Sequence, residues 1–463
     1  MQPSRQQLLR ESLRRYLRRQ SWPPLDRLLG KTRMEELAAV LGGFPDRDQL
    51  TVFERLPDAA RKARLIVSMQ APFGKRMLDP LAAEKAAAIL GEMAPDDRAD
   101  IIADLEPEQA ERVLQVLDHD DKEELENLLA YGDDTAGGIM LPEFLALPAE
   151  YTAEEALIAL REKSSDVEMA NYIYVTTGEP RDDEAGELVG VLSLRKLILA
   201  PPHRRIRDVM ETDVISVTPD TDQEAVARIV SDYGLLAVPV VDSDHRLLGI
   251  VTVDDVIEVL EEEAQEDMLK MAGAGAPVLE DAGFFKHVTN RFPWLLASCA
   301  GGLMSAVVMG AFGEVLAGHH FFALFLPIIL GMSGNVGTQS ATVTVRGLAL
   351  GQIGVGERII GVLRRELAIG LSLGLLYALL VGVAGAAMGD RPLDGLAIGL
   401  SMAIGMTIAA TVGSAVPLLL ARLGADPAVA TGPFVTTALD LIGVLVYFGV
   451  SIPLALHFSA AVR

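Results

Sequence analysis

Hydrophobic positions change their spacing twice along this chain. Up to residue 132 they recur three and four apart in short bursts, as in LDPLAAEKAAAILGEM, APDDRADIIADL, EPEQAERVLQVL and DHDDKEELENLL. Each burst opens near Pro or Asp and lasts roughly three turns, the pattern of short helices that stop and restart. The expectation for 1–132 is an all-α superhelical domain, a scaffold or binding surface rather than a place for covalent chemistry. From 133 the texture becomes mixed. A helical stretch at 152–162, the strand NYIYVTT and the run GELVGVLSLRKLI form one βαββα unit over 133–200. IRDVM, a helical stretch at 221–231, LLAVPVVD and HRLLGIVTVDDVIEVL form a second over 201–260.

Beyond 285 the polar positions almost vanish. Residues 292–313, 321–345, 367–389 and 395–421 contain no Lys, Arg, Asp, Glu or His, giving uncharged runs of 22, 25, 23 and 27 residues. Each can cross a hydrocarbon core of about 30 Å as a helix. A fifth run, 428–453, is broken only by Asp440. The expectation is a five-helix transmembrane domain over 286–463, preceded by a connecting helix over 261–285.

Charge separates the same two halves. Residues 291–463 carry eight Arg, no Lys and seven acids, whereas 1–290 carry 32 basic and 57 acidic residues. That excludes a purely soluble enzyme, and it excludes a nucleic-acid binder working through a basic face. The single Cys, Cys299, excludes a disulfide-built secreted domain. Arg346, Arg358, Arg364 and Arg365 follow the second run and Arg422 follows the fourth, while the opposite side has only Arg391 and the terminal Arg463. The positive-inside rule then sets the long amino-terminal part in the cytoplasm of a cell-membrane protein and the carboxyl terminus outside. Residues 1–20 are Arg-rich without an apolar core, unlike a signal peptide.

Three features carry candidate chemistry. The run DDVIEVLEEEAQEDMLK places Asp254, Asp255, Glu258, Glu261, Glu262, Glu263, Glu266 and Asp267 on one helix, with no base before Lys270. Spacings of three and four gather Asp255, Glu258, Glu262 and Glu266 near one face, where like charges repel. Such a run is either a solvated face or a place where a hard divalent cation relieves the repulsion, and Mg²⁺ needs few carboxylates because it keeps its waters. No His/Cys cluster points to zinc or copper. GMSGNVGTQSAT, residues 331–342, sets Asn335, Thr338, Gln339 and Ser340 among glycines that permit close helix packing or local unwinding. Asp440, with Thr436 and Thr437 one turn before it, is a carboxylate in mid-span with no base in any predicted span, the mark of an ion pathway.

The phrases IRDVM, AVPVVD and GIVTVDD resemble a tandem CBS pair, a module that senses small ligands. By that resemblance Gly249, Thr252 and Asp255 match an adenosine-nucleotide site. The first copy is weaker, with Ser193, Arg195 and Lys196 at the corresponding turn, and Thr252 reads equally as a helix cap. GNVGTQSAT, LGADPAVATGP and TTALD, in this domain order, resemble the MgtE family of magnesium channels and transporters over essentially the whole chain. The resemblance implies a homodimer in the lipid membrane, with a pore on the two-fold axis lined by the second and fifth spans. Asp440 matches the carboxylate that recognises hydrated Mg²⁺, Asp426 an additional ion-binding acid, and Gly334 and Asn335 the pore segment. Ser333 stands where Gly is common. Glu224, Asp255, Glu258, Glu263, Glu266 and Asp267 match regulatory Mg²⁺ positions, and Asp96 and Asp100 match a pair in the amino-terminal domain. Gly234 stands where some relatives have an acid.

The implied activity is Mg²⁺ import through a channel that cytosolic Mg²⁺ closes. Neither a Walker P-loop nor a catalytic triad is present, so no enzyme activity is expected. Competing readings are a transporter of broader divalent range (Co²⁺, Mn²⁺, Ni²⁺), a nucleotide-regulated secondary transporter, and a membrane Mg²⁺ sensor that conducts nothing.

Overall fold

The computed structural model describes residues 5–69, 72–117, 119–163, 171–177, 186–273, 284–313, 320–349, 352–353, 359–389 and 391–461. It divides into two compact units, Met1–Glu261 and Glu262–Arg463.

The first unit begins with a run of short helices, from Arg5–Arg18 to His119–Leu128. Pro in the first turn opens Trp22–Leu29, Pro95–Asp104 and Pro107–Leu114, where its missing N–H costs nothing. Arg5–Arg18 packs on Met34–Leu41, which packs on Ala59–Val67, then Ala83–Leu90, then Pro107–Leu114. Packing on the next helix but one is a superhelix, as the recurring bursts predict. Its interior is a file of leucines and aromatics, including Leu13, Leu25, Leu37, Phe53, Leu65 and Leu90, each almost fully buried. The same apolar core continues through Val226, Val238, Val251, Val256 and Val259 of the second α/β module. Helical domain and module thus share one interior.

In the first module β1 (Ala146–Pro148) runs parallel to β2 (Tyr172–Thr176), which pairs antiparallel with β3 (Leu188–Ser193) in the register Tyr174↔Val191. In the second, β4 (Ala237–Val241) and β5 (Leu247–Thr252) pair antiparallel, and the first strand is reduced to a bridge between Val217 and Val240. The module that looked weaker in sequence therefore forms the larger sheet. Leu141, ahead of the first module, exchanges backbone hydrogen bonds with Ile250 of β5, at 2.8 and 2.9 Å. A Cβ at Gly249 would meet the Leu141 carbonyl, so this crossing strand explains the glycine. Gly234 ends the helix Gln223–Tyr233 at φ +62°, a left-handed conformation that a side chain disfavours. That accounts for the absence of an acid there.

The connecting helix is described over Val253–Met271, opening within the second module, and residues 274–283 of the expected 261–285 segment lie outside the described residues. Among the described residues five long helices follow in the second unit: first, Phe284–Ala311; second, Leu326–Ala349; third, Ile359–Met388; fourth, Pro392–Arg422; fifth, Pro433–Ala461. All but the second are long and apolar enough to cross a membrane by composition alone. The second has the length, but its Gly, Ser and Thr lower its hydropathy. The fourth lies centrally against the second, third and fifth, burying Ala397, Met402, Met406 and Ala410. Leu295, Leu303 and Val307 of the first helix, and Leu376, Leu379 and Val383 of the third, stay exposed, which suits a hydrocarbon surround. Of the orientation-setting arginines, Arg358 and Arg463 lie outside the described residues.

Candidate ion pathway and regulatory acids

The segment 331–342 is an uninterrupted part of the second helix; of its glycines Gly337 serves close packing, while Gly331 and Gly334 have open space where a Cβ would stand. Ser333, Val336, Gly337, Ser340, Ala341 and Thr344 are buried, whereas Asn335 and Gln339, one turn apart, are exposed. A Cβ at Gly337 would strike Leu439 of the fifth helix and approach the Ala409 carbonyl of the fourth. The next residue after Leu439 is Asp440, half-buried and without an ion pair among the described residues. The signature helix and the acid-bearing helix are therefore in tight contact beside Asp440. On the buried face Ser340 Oγ donates to Glu366 Oε2 of the third helix at 2.8 Å. Thr344 Oγ1 donates to the Ser340 carbonyl at 2.8 Å, so its other contact, Ser414 Oγ at 2.8 Å, is a donor to it. Glu366 escaped the sequence reading because it flanks the uncharged run 367–389.

Asp426 lies before the fifth helix. Its Oδ1 accepts from the Ala428 N–H at 2.7 Å, and its Oδ2 is 2.7 Å from Lys270 Nζ. The same ammonium is 2.8 Å from Glu266. Partial burial works against the charge on Lys270, but the two carboxylates outweigh it and raise its pKa. Glu263, Glu266 and Asp267 are half-buried along the connecting helix, while Glu261 and Glu262 are exposed.

In the first unit, the start of the Pro95–Asp104 helix faces the start of the connecting helix. Asp97 is pushed up to about 8, first by burial and then by the charges of Asp96, Asp255, Glu258 and Asp100. Asp255 is pushed up to about 7, again first by burial, with its hydrogen bond to Thr252 opposing and Asp96 and Asp254 adding. The fold thus gathers Asp96, Asp97, Asp100, Asp255 and Glu258. Asp97 was missed in the sequence, although APDDRAD offers three acids within one turn and a half. Among the described residues no three acids, His or Cys converge as a closed cage for a bare metal ion. Carboxylates that hold an ion through its waters need no such cage. Glu224 lies elsewhere, paired with Arg228 one turn on. Asp255 Oδ2 accepts from the Thr252 N–H at 3.2 Å and from its hydroxyl, which also donates to Asp254 Oδ1, so the carboxylates tie down the start of the connecting helix.

Comparison with known proteins bears on both halves. A model of the divalent cation transporter family MgtE matches residues 326–450, one of the MgtE intracellular N domain matches 32–134, and CBS domains match 136–203 and 206–262. The magnesium transporter MgtE of Thermus thermophilus is 36% identical over 330 residues, 71% of this chain and 72% of that one. The magnesium transporter MgtE of Bacillus subtilis is 32% identical over 324 residues, 70% of each. A solved structure, the cytosolic domain of the Mg²⁺ channel MgtE in complex with ATP, is 36% identical with a TM-score of 0.50, covering 54% of this chain and 99% of that one. With identity of this extent and three matching domain types in order, the chain belongs to the MgtE family of magnesium transporters and is a multi-pass membrane protein.

Proposed function

We propose that this protein is a Mg²⁺-selective channel that imports magnesium and is closed by cytosolic Mg²⁺. The observation that carries the reading is Asp440: a half-buried carboxylate in an apolar helix, without an ion pair among the described residues, beside the contact of Leu439 with Gly337. A carboxylate there attracts a cation, and its waters give it reach to a hydrated ion. Asn335 and Gln339 form a polar edge exposed on a single copy. Such an edge is costly against lipid and suits a second copy of the chain across a pore. The amino terminus is cytoplasmic and the carboxyl terminus outside, as the arginine distribution favours. A membrane potential negative inside then drives entry by about 4.6 kcal/mol per 100 mV for two charges.

Closure is assigned to the acids. Burial first, and then the charges of their neighbours, raise Asp97 to about 8 and Asp255 to about 7, so the group Asp96, Asp97, Asp100, Asp255 and Glu258 resists full ionisation when the cation is scarce. Mg²⁺ bound there, and at Glu224, Glu263, Glu266 and Asp267, favours the state in which these surfaces are drawn together. Such a switch requires only stronger binding to one of two states. ATP is a ligand of the solved relative. An adenine nucleotide at Gly249, Thr252 and Asp255 is the second ligand proposed for this chain, at a turn that the crossing strand and the Thr252–Asp255 hydrogen bond also shape.

The test is Mg²⁺ uptake into proteoliposomes holding the full chain, with Mg²⁺ varied on the cytoplasmic face and Co²⁺, Mn²⁺ and Ni²⁺ as competitors. Uptake that cytoplasmic Mg²⁺ suppresses supports the reading. Equal uptake of all four ions would replace it with a broad divalent transporter, and none from folded dimeric protein would replace it with a sensor.

A further inference from the structure

Glu366 is a charged residue in a spanning helix, yet it is 4% exposed. A carboxylate so enclosed is tolerated only where a specific partner holds it. Its Oε2 accepts the Ser340 hydroxyl at 2.8 Å, and its Oε1 is 3.7 Å from Nη2 of Arg365, whose side chain is mostly exposed. Ser340 belongs to GMSGNVGTQSAT, on the buried side of the helix whose exposed side carries Asn335 and Gln339.

The rest of the contact around Ser340 is apolar packing. Gly337 lies against the Leu439 side chain and Ala341 is fully buried, apolar contacts that permit close approach but carry no hydrogen-bond direction. Two polar ties supply direction: Ser340 to Glu366 on the third helix, and Thr344 to Ser414 on the fourth. They are one turn apart on the second helix and lead to different neighbours. Turning the helix would break both and leave the carboxylate buried without its hydroxyl, an outcome costlier than losing an ordinary hydrogen bond.

We propose that Glu366 is a positioning residue: by holding Ser340 it sets the rotation of the second helix and so directs Asn335 and Gln339 into the ion pathway. This rests on the pore reading above, and the test separates the two. Full-length protein is reconstituted as wild type, Glu366→Gln, Glu366→Leu, Ser340→Ala and the Ser340→Ala/Glu366→Leu double variant. Each is also prepared with Cys299→Ser and Asn335→Cys, to measure the rate of modification by a water-soluble thiol reagent. Gln keeps an oxygen that accepts from Ser340, so its flux and modification rate stay near wild type. Leu and Ala lower flux by about tenfold and shift the modification rate, and the double variant is no worse than the poorer single, because both remove the same tie. If Glu366→Leu does not fold, Ser340→Ala decides alone. Gln as inactive as Leu, or Ser340→Ala matching wild type in flux and modification, overturns the proposal. Absence of flux from wild type itself sinks the pore reading, and the modification rates still decide whether Glu366 sets the rotation.

Discussion

Lys270 Nζ lies 2.7 Å from Asp426 Oδ2, so the acid expected to attract an extra cation already has one supplied by the chain. The same ammonium reaches Glu266 at 2.8 Å, and the chain at Lys270 and Gly273 packs on Gly432. Two acids that the family resemblance links to Mg²⁺ are bridged by a tethered charge that cannot diffuse away. An incoming ion must displace it.

Removing that charge should therefore favour the ion. Lys270→Met keeps the apolar stem and leaves Glu266 and Asp426 without their counter-ion. Mg²⁺ affinity measured by calorimetry on the full chain should rise by about two- to fivefold, the scale of a partly exposed ion pair. Asp426→Asn added to Lys270→Met should cancel the gain. Unchanged affinity in the single variant would mean that Mg²⁺ does not compete for this place.

The acidic cluster makes stability depend on pH in a fixed direction. Asp97 and Asp255 have folded values of about 8 and about 7, above the ordinary 3.8. The folded chain binds more protons than the unfolded chain between those values, so Mg²⁺-free stability falls as pH rises from about 4 to 8. Thermal unfolding of the full chain in detergent without divalent ions should show this fall. Asp97→Asn should blunt it, stabilising the protein at pH 8 by on the order of 2 kcal/mol and shrinking the rise produced by Mg²⁺. A flat profile in wild type would contradict the burial and repulsion assigned to the cluster.

Thr252 offers a direct way to separate folding from ligand binding. Thr252→Val removes the hydroxyl that donates to Asp254 and Asp255 and should cost about 1 kcal/mol with no nucleotide present. A loss of stability seen only when adenine nucleotide is added would point instead to a ligand contact.

The point where Gly337 meets Leu439 should tolerate no added atom. Gly337→Val forces a branched side chain against Leu439 and the Ala409 carbonyl, and should cost about 1–3 kcal/mol in thermal stability. Leu439→Ala in the same chain vacates space and should recover part of the loss. Full stability of Gly337→Val alone would refute the close packing of the second and fifth helices.

How much of this was readable in advance depends on what each feature requires. Apolar runs long enough to span a membrane announce helices without reference to any partner, and four of them meet the requirement by composition. The second is legible only in part: the run 321–345 is shifted in the fold to Leu326–Ala349, because its small and polar residues carry packing rather than hydropathy. The CBS strands were equally plain, since alternation and β-branched residues are local properties. The partners of the acids were not. Asp97 and Asp255 are far apart in sequence, and only the shared core of the helical domain and the second module brings them together. Lys270 reads as the end of an acidic run until the fold sets Asp426 beside it. Glu366 reads as a boundary residue, and its burial is set by Ser340 and its neighbours on another helix.

The most direct test of the channel is electrical. Currents carried by Mg²⁺ across a planar bilayer should be recorded from the full chain and from Asp440→Ala, with cytoplasmic Mg²⁺ removed. The account predicts a Mg²⁺ current in wild type that falls as cytoplasmic Mg²⁺ is restored, and loss of Mg²⁺ preference or of current in Asp440→Ala. A Mg²⁺ current of unchanged size and selectivity in the folded variant would contradict the role given to Asp440, and with it the proposed pathway.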